Sequence, residues 1–420
     1  KEALDQERAS LGVGDTQQPF VVIVGGGQGG IVLGARLRRL GVPAIILESN
    51  KRAGDSWRKR YKSLVLHDPV WYDHLPFMPF PDNWPVFTPK DKMGAWLESY
   101  ASVMELNYWT ESRCLAASFA EHGEHDEEHG EQKEAKGAKG AKAGGGGSWR
   151  VRVSRTRADG STEEVVLKPT HLVLATGMSG RPFKPELPGA FEFQESGGDL
   201  HHSSEHYLGE GGGGGNQYAG KRCVVVGSNT SAHDLSQALW EGGASSVTLV
   251  QRSSSLVAKS ETLLKLALGD LYSEQASADG RTTEDADLAF ASVPYRLMPR
   301  FHTPLWEKIA KKDALFYAAL QGAGFLCDFG DDGKRDGLFL KYLRRGSGYY
   351  IDVGASQLII DKAIQLESGC GVERLGPGRA VRLENGKLLP ADVVVLATGF
   401  RSMECWAAEL ISQEVADKVG

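Results

Sequence analysis

The stretch that decides the fold is VVIVGGGQGGIVLGARLRRLGVPAIILESN, which spans residues 21–50. Four β-branched residues precede a glycine turn, and a segment with helically spaced apolar residues follows it. A second apolar run then ends at Glu48. Short apolar runs bounded by turns are typical of buried parallel strands, and the segment between them is typical of a crossover helix. The stretch therefore predicts a strand, turn, helix and strand that begin an α/β domain.

The glycines of this turn fit a nucleotide-binding pattern. Gly25, Gly27 and Gly30 form G-x-G-x-x-G directly after the predicted strand. The first glycine allows a tight turn, the second lets the backbone approach a pyrophosphate, and the third allows close helix packing, with the helix N-terminus facing the anion. Glu48, 18 residues after Gly30, can accept hydrogen bonds from a ribose 2′-hydroxyl. The turn therefore predicts a dinucleotide site.

The chain contains a second copy of this plan. Residues 222–239, RCVVVGSNTSAHDLSQAL, repeat the strand, turn and helix, and SVTLVQR at residues 246–252 repeats the second strand. Each copy closes on an A-T-G segment, which contains Thr176 and Gly177 in the first copy and Thr398 and Gly399 in the second. We therefore expect an α/β fold with two Rossmann-like dinucleotide-binding domains.

The second turn differs from the first in ways that indicate a different nucleotide. It keeps one glycine of the motif, Gly227, and then has small polar residues that suit a phosphate, namely Ser228, Asn229, Thr230 and Ser231. Its second strand ends at Arg252 rather than at an acid, which favours a 2′-phosphate. We predict FAD at the first site and NADPH at the second. The alternative is that Arg252 is an ordinary surface residue.

Composition restricts the classes of partner. The net charge of -6 gives no general attraction to nucleic acid, and no apolar run reaches the roughly 20 residues of a membrane helix. The five cysteines are scattered, and none is spaced C-x-x-C. We expect a soluble, cytoplasmic protein with small-molecule partners, no nucleic acid and no membrane span. A homodimer and a removed targeting segment stay open.

The repeat also predicts domain boundaries. We expect an FAD-binding domain at residues 1–180, an NADPH-binding domain at 181–400, and the start of a return to the first domain at 401–420. Too few apolar residues occur at 121–147 and at 209–215 for either segment to fold. A region rich in helix formers at about 260–342 predicts a helical insertion, either a substrate lid or a filler beside the sheet.

Residues 54–101 resemble the flavin-containing monooxygenase superfamily, and within it the YUCCA-like enzymes and their fungal relatives. The matching features are W-x-x-x-Y (Trp57 and Tyr61), L-x-L-H (64–67), LPFMPFP, LESYA, both A-T-G segments and GYYIDVG (348–354). The resemblance implies a glutathione-reductase-like flavoprotein with two dinucleotide-binding domains, bound FAD, NADPH as reductant and O2 as co-substrate. It also implies a flavin C4a-(hydro)peroxide, which passes one oxygen atom to a small organic substrate.

The resemblance also suggests roles for individual residues. It adds Trp57 and the two A-T-G segments to the cofactor-binding residues, and it aligns His67 with a flavin-facing Asn of animal members. A packing histidine is the alternative for His67, and Asn229 is the second candidate catalytic residue. The chain ends about twenty residues after Phe400, earlier than the family pattern, so we expect a truncated C-terminus.

The fingerprint of the superfamily matches residues 193–207 in part. Gly198, His202 and Ser203 fit, whereas Phe193 stands three residues too far upstream and His206 occupies the aromatic position. The resemblance gives the histidines here a structural role in a linker, rather than metal binding. Features of Baeyer–Villiger enzymes are missing from the stretch, which favours heteroatom oxidation or oxidative decarboxylation.

These observations predict a monooxygenase that acts on a 2-oxo acid such as indole-3-pyruvate, an amine or a sulfide. A flavin-dependent NADPH oxidase or reductase keeps the same fold and is one alternative, although a disulfide reductase lacks its C-x-x-C. A non-catalytic nucleotide-sensing module is the other. The sequence leaves the substrate and the oligomeric state open.

Overall fold

The computed structural model describes residues 19–120, 147–157, 159–178, 180–205, 217–331 and 333–419. The two low-complexity segments predicted not to fold lie outside these ranges, apart from Gly147. Two compact units form. The first comprises Lys1–Arg58, Asp91–Arg181 and Arg401–Gly420, and the second comprises Lys59–Lys90 and Pro182–Phe400.

The first unit is built on a parallel sheet of four strands. In spatial order these are β3 (Tyr108–Trp109), β2 (Ala44–Leu47), β1 (Val21–Val24) and β7 (His171–Leu174). Strand β1 is central, with Val21 opposite Ala44 on one side and His171 on the other. All four of its residues are buried, because both faces of the sheet are covered.

Each face of this sheet packs against a different layer. Val21, Ile23 and Ile46 pack with Leu33 and Leu37 of helix α1 (Gln28–Arg39). Val22 and Val24 face the antiparallel sheet of β4 (Ser112–Ala120), β5 (Ser148–Thr156) and β6 (Thr162–Leu167). The unit also contains four shorter or peripheral helices, α2 (Asp55–Arg58), α3 (Lys90–Val103), α13 (Glu404–Leu410) and α14 (Gln413–Val419). Trp406 and Leu410 place α13 on the same core.

The second unit repeats this plan around a parallel sheet of five strands. Their order is β14 (Gln365–Ser368), β10 (Ser246–Gln251), β9 (Arg222–Val226), β18 (Val393–Leu396) and β8 (Asp199–His202). Helix α5 (Thr230–Glu241) follows β9, as α1 follows β1. An antiparallel sheet of β15 (Val372–Gly376), β16 (Ala380–Leu383) and β17 (Leu388–Pro390) packs beside Phe193 of helix α4 (Ala190–Glu195).

A third sheet and a group of helices complete the second unit. The sheet contains β12 (Cys327–Asp328), β11 (Ser255–Lys259) and β13 (Tyr349–Asp352), all parallel. The helical segments are α6 (Ser260–Leu263), a π-helix (Leu264–Leu268), α7 (Glu274–Ala278), α8 (Thr283–Ala291), α9 (Met298–Lys312), α10 (Ala314–Gly322), α11 (Gly337–Arg345) and α12 (Ala355–Ile360). Trp306 and Ile309 of α9 are buried against this sheet.

Residues 59–90 lie in the second unit, whereas the sequence plan grouped them with the first domain. The segment folds back on itself, since Leu66 N–H donates to the Thr88 carbonyl and Lys90 N–H donates to the Leu64 carbonyl. Tyr61 then donates to Asp234 on α5. These contacts join residues far apart in sequence, and no local pattern predicts them.

A glycine at the start of α11 provides a test of this packing. A Cβ on Gly337 would lie 1.6 Å from Nε1 of the buried Trp306, whereas a Cβ on Gly333 would have no atom within 4 Å. Both glycines have positive φ, 82° and 73°. We expect Gly337→Ala to lose about 1–3 kcal/mol more stability than Gly333→Ala, because only the former overpacks the core. Urea unfolding of both variants measures the difference, and equal losses would contradict the packing.

Candidate functional site

The turn after β1 has the close backbone contacts that the glycine pattern predicts. A Cβ on Gly25, which has φ of 109°, would lie 2.3 Å from the Ala175 carbonyl oxygen. A Cβ on Gly30 would lie 2.0 Å from the Gly25 carbonyl oxygen, whereas Gly27 faces open space. Gly25 and Gly30 are therefore required by packing, and Gly27 leaves room beside the turn for a ligand.

The N-terminus of α1 can hold an anion. Gly27 caps the helix with no side-chain hydrogen bond, and the first turn contains no acid. The first backbone N–H groups of a helix have no intrahelical acceptor, and the helix dipole makes this end positive. A phosphate of a dinucleotide fits this cradle. Trp57 lies beside it, since its Nε1 donates to Gln28 Oε1 at 3.1 Å.

Glu48 is buried at the end of β2, as the sequence predicts for a ribose ligand. It is 7% exposed, and its Oε1 accepts hydrogen bonds from Asn50 N and Nδ2, both at 2.7 Å. Its Oε2 accepts from Gly26 N–H at 3.1 Å. A carboxylate oxygen can accept a further bond, so Oε2 can still receive a ribose hydroxyl. Gly26 and Tyr108, which donates to the Gly26 carbonyl, are contacts that the sequence did not reveal.

The first A-T-G segment lies next to this turn. Ala175 N–H donates to the Val24 carbonyl at 2.7 Å, which continues the pairing of β7 with β1. Thr176 is partly buried, and Gly177 is exposed with φ of 75°. The structure therefore places Thr176 and Gly177 beside the glycine turn, at the carboxyl edge of the sheet where α/β folds bind nucleotides.

In the turn after β9, the polar side chains hold the turn in place. Ser228 Oγ is 2.8 Å from Ser255 Oγ, which donates to Asn229 Oδ1 at 3.0 Å. Thr230 Oγ1 donates to the Tyr349 carbonyl at 3.1 Å. These bonds tie the turn to β11 and β13. An incoming phosphate would therefore meet mainly the backbone N–H groups at the start of α5, whose first turn contains no acid.

Gly227 and Arg252 are two further residues predicted for the second site, and they follow β9 and β10 respectively. Gly227 has φ of 130°, and a Cβ there would lie 2.3 Å from the Ala397 carbonyl oxygen. Arg252 follows β10 and is exposed, and within the described ranges no carboxylate pairs with it. Its guanidinium is thus available to an external anion. Ser231, in contrast, hydrogen-bonds the hydroxyl of Tyr61.

His67 belongs to a buried polar cluster in the second unit. Its Nε2 lies 3.3 Å from Asp234 Oδ1, and both side chains are less than 10% exposed. The other oxygen of Asp234 accepts a hydrogen bond of 2.7 Å from Tyr61. His67 Nδ1 is buried, and a backbone hydrogen bond involving Ile351 also acts on the ring. The carboxylate therefore fixes one ring nitrogen.

The two histidines of this cluster differ in their affinity for a proton. Burial alone lowers the pKa of His67, but the hydrogen bond to Asp234 and the charges of Asp234 and Asp68 outweigh it, so the pKa is raised. Burial lowers the pKa of His233 to about 4. His233 stacks on Tyr350 with centroids 4.0 Å apart, and its Nδ1 bonds to the Asn229 carbonyl. His67 therefore favours the charged form and His233 the neutral one.

His202 has the structural role that the fingerprint implies. Its Nδ1 accepts a hydrogen bond from Ser204 N–H, so its Nε2 carries the proton and donates to the Gly399 carbonyl at 2.9 Å. Gly399 also accepts from Phe183 N–H, and Thr398 Oγ1 donates to the Phe183 carbonyl. Thr398 and Gly399 are thus held in a tight linker. Burial lowers the pKa of His202, which keeps it neutral.

Phe193 stands three residues too far upstream for the fingerprint, but its ring nevertheless packs against Gly198. Phe193 is fully buried, and a Cβ on Gly198 would lie 2.4 Å from its ring. His206 lies outside the described residues. Across the described part of the chain, no group of three or more His, Cys, Asp or Glu side chains is arranged to hold a metal ion. None of the helices described is long and apolar enough to cross a membrane.

Three of the five cysteines, Cys114, Cys223 and Cys327, are unsuited to redox chemistry at neutral pH. All five are free thiols, and Cys114, Cys223 and Cys370 are buried. Burial raises the pKa of Cys114 to about 11 and the pKa of Cys223 and Cys327 to about 12. Since the thiolate is the reactive form, these thiols are inert at neutral pH. This arrangement argues against a flavin disulfide reductase.

Comparison with known sequences finds one matching family profile and several related enzymes. The family profile of pyridine nucleotide-disulphide oxidoreductases matches residues 107–276. The chain is 30% identical over 412 residues to the indole-3-pyruvate monooxygenase YUCCA1 of Oryza sativa subsp. japonica, covering 96% of this chain and 83% of that protein. It is 29% identical over 384 residues to the probable indole-3-pyruvate monooxygenase YUCCA3 of Arabidopsis thaliana, covering 91% and 73%.

Solved structures share the fold at lower identity. The flavin-containing monooxygenase from Stenotrophomonas maltophilia aligns with a TM-score of 0.54 and 16% identity, covering 94% of this chain and 81% of that one. The polycyclic ketone monooxygenase from the fungus Thermothelomyces thermophila aligns with a TM-score of 0.61 and 17% identity, covering 97% and 67%. At such identities the likeness concerns the fold alone.

The contact between Asp234 and His67 predicts a measurable titration. In Asp234→Asn, the pKa of His67 should fall, because burial is no longer offset by the carboxylate. NMR titration of the imidazole, assigned with His67→Gln, measures this change. Asp287→Asn, which removes a carboxylate from His74 instead, serves as the control and should leave the His67 titration unchanged.

The same pair has a defined effect on stability. Because the folded pKa of His67 lies above its ordinary value of 6.5, the pair stabilises the fold below pH 6.5. This contribution is lost as the pH rises through the folded pKa. An unchanged His67 titration in Asp234→Asn would show that the carboxylate does not control the ring.

Proposed function

We propose a reaction from the premise that this chain belongs to the flavin-containing monooxygenase family, together with the plant indole-3-pyruvate monooxygenases. The chain is accordingly an oxidoreductase with the α/β fold and mixed sheets of flavin monooxygenases. Its reaction is the transfer of one oxygen atom from O2 to a small organic substrate, with FAD and NADPH as cofactors. The observation that carries the proposal is the 30% identity to YUCCA1 over 96% of this chain, through both glycine turns.

The first turn fits FAD by its own geometry. The amides at the start of α1, beside Gly27, would hold the pyrophosphate, and Glu48 Oε2 would accept a ribose hydroxyl. Thr176 and Gly177 border the same edge of the sheet, and Trp57 stands beside Gln28. When bound, FAD supplies the electron transfer and the activation of dioxygen, whereas the protein supplies position and exclusion of water.

The second turn fits NADPH. The amides that follow Gly227 would hold its pyrophosphate, supported by the anchored side chains of Ser228, Asn229 and Thr230. Arg252 would pair with the 2′-phosphate, because a guanidinium binds phosphate oxygens in a planar, bidentate manner. From these two different nucleotide sites we infer a fold with two dinucleotide-binding domains. A helical region is inserted in the second domain.

Two side chains are the candidates for direct roles in the reaction. Oxygenation that consumes NADPH and releases water takes up one proton in each turnover, and His67 can hold that proton on Nδ1. Asn229 keeps its amide nitrogen for a ligand, since Oδ1 is the atom that accepts from Ser255. We assign the substrate to the 2-oxo acids, because the aligned relatives are named for indole-3-pyruvate. Amines and sulfides are the remaining classes.

Isotope labelling distinguishes oxygenation from the alternatives. The purified protein, loaded with FAD, is mixed with NADPH, 18O2 and indole-3-pyruvate, and NADPH, peroxide and product are measured. We expect one 18O atom in the product for each NADPH oxidised. Catalase separates enzymatic oxygenation from the direct reaction of peroxide with the 2-oxo acid. Peroxide equal to the NADPH consumed when no substrate is present, and no labelled product when catalase is added with the substrate, would indicate an oxidase. NADPH binding with no flavin reduction would indicate a sensing module.

Replacing Arg252 tests the choice of nucleotide. Arg252→Ala should weaken NADPH binding roughly tenfold or more and leave NADH binding nearly unchanged, because a charged hydrogen bond to the 2′-phosphate is worth about 1.5–3 kcal/mol. Calorimetric titration of both nucleotides measures this difference. Arg300→Ala removes another exposed arginine of the same unit and should change neither affinity. Equal losses for the two nucleotides in Arg252→Ala would rule out recognition of the 2′-phosphate.

A further inference from the structure

Arg60 is a largely buried cation that has no carboxylate partner in the part of the chain that the structure describes. Charged side chains are rarely buried unless they are paired, since an uncompensated charge loses its hydration. Other partly or fully buried cations of the chain follow this rule. Arg58 pairs with Asp55 at 3.1 Å and with Glu98 at 2.7 Å, and the buried Lys341 pairs with Asp328 at 2.6 Å. Among the described residues, Arg60 forms no ion pair.

Among the described residues, the surroundings of Arg60 provide an aromatic contact but no acceptor for its buried Nε. Its guanidinium carbon lies 5.2 Å from the centroid of the Phe400 ring, in the same unit. Its Nε is buried and has no hydrogen-bond partner within the described ranges. Burial lowers the pKa of Arg60, and the interaction with Tyr61 acts in the opposite direction. A cation–π contact stabilises the charge but cannot accept the hydrogen bonds of a guanidinium.

The side chain keeps some exposure, so a ligand can reach it. A guanidinium presents its N–H groups in a plane that matches the two oxygens of a carboxylate or phosphate. An oxyanion would satisfy the unpartnered N–H and supply the missing negative charge together. Arg60 therefore has the features of an anion site, whereas Arg58, only two residues earlier, is already neutralised by acids of the protein.

We propose that Arg60 is the anchor of an oxyanion-binding site in the second unit. The site takes the carboxylate of an acidic substrate or a phosphate of the dinucleotide, which share the same chemistry. The choice of these two ligands rests on the proposed function, because both are its reactants. The presence of an anion site itself rests on the burial and the missing partner of Arg60.

The test uses Arg60→Met, which keeps the length and apolar stem of the side chain and removes the charge. Without ligand, this variant should unfold at a temperature equal to or above that of the wild type, because an unpaired buried charge is removed. The matched control, Arg58→Met, leaves Asp55 without its cation and should unfold at a lower temperature. Arg60→Lys keeps the charge without the planar fork and should recover part of the binding.

Ligand binding is then measured as the shift in unfolding temperature with four compounds, namely NADP+, indole-3-pyruvate, its uncharged methyl ester and inorganic phosphate. If NADP+ raises the unfolding temperature of the wild type but not that of Arg60→Met, the natural ligand of the site is a phosphate of the dinucleotide. If indole-3-pyruvate raises the unfolding temperature of the wild type but not that of the variant, and the ester has the same effect on both proteins, the ligand is the substrate carboxylate. Either result supports the site, with an expected loss of tenfold or more in affinity, on the order of 1.4 kcal/mol.

The proposal and the proposed function fail in different ways. If neither NADP+ nor indole-3-pyruvate stabilises the wild type, but inorganic phosphate does so only when Arg60 is present, the anion site stands and the proposed reaction falls. If every compound that stabilises the wild type stabilises Arg60→Met equally, or if no compound stabilises the wild type, the anion site is overturned. Because unfolding is measured without turnover, the result does not depend on catalysis.

Discussion

The two nucleotide turns depend on one steric constraint, the approach of each turn to the backbone after a neighbouring strand. A Cβ on Gly25 would lie 2.3 Å from the Ala175 carbonyl oxygen, and a Cβ on Gly227 would lie 2.3 Å from the Ala397 carbonyl oxygen. Both alanines begin the A-T-G segments. This shared contact explains why the second turn can lose the other two glycines of the motif and still keep the first. The first glycine is required by the sheet, whereas the others respond to the helix and the ligand.

The sequence predicted those features whose causes are local. Runs of β-branched residues gave β1 and β9, and the turns and helices that follow were apparent from glycine, small polar residues and apolar spacing. The position of Glu48 at the end of the second strand was also predictable, because a strand end and its distance from the turn are both counted along the chain. Such features form wherever a helix directly follows a buried parallel strand in the chain.

The sequence could not predict contacts that depend on the tertiary fold. Tyr61 and Asp234 are 173 residues apart, yet their hydrogen bond helps to place residues 59–90 in the second unit. Ser228 and Thr230 looked like phosphate ligands, but their hydroxyls hold the turn against β11 and β13. Small polar residues serve both purposes, and only the position of the partner strands distinguishes them. That Arg60 has no ion-pair partner among the described residues is likewise visible only when its surroundings are known.

Burial alone does not decide the charge of the polar cluster in the second unit. His67 and His233 are both buried, and burial opposes the charged form of each. The carboxylate of Asp234 lies against His67, whereas the strongest hydrogen-bonding partner of His233 is the neutral Asn229 carbonyl. The carboxylates near His67 therefore outweigh burial at that ring, whereas those near His233 do not. Of the two histidines, His67 is therefore better suited to hold a dissociable proton near neutral pH.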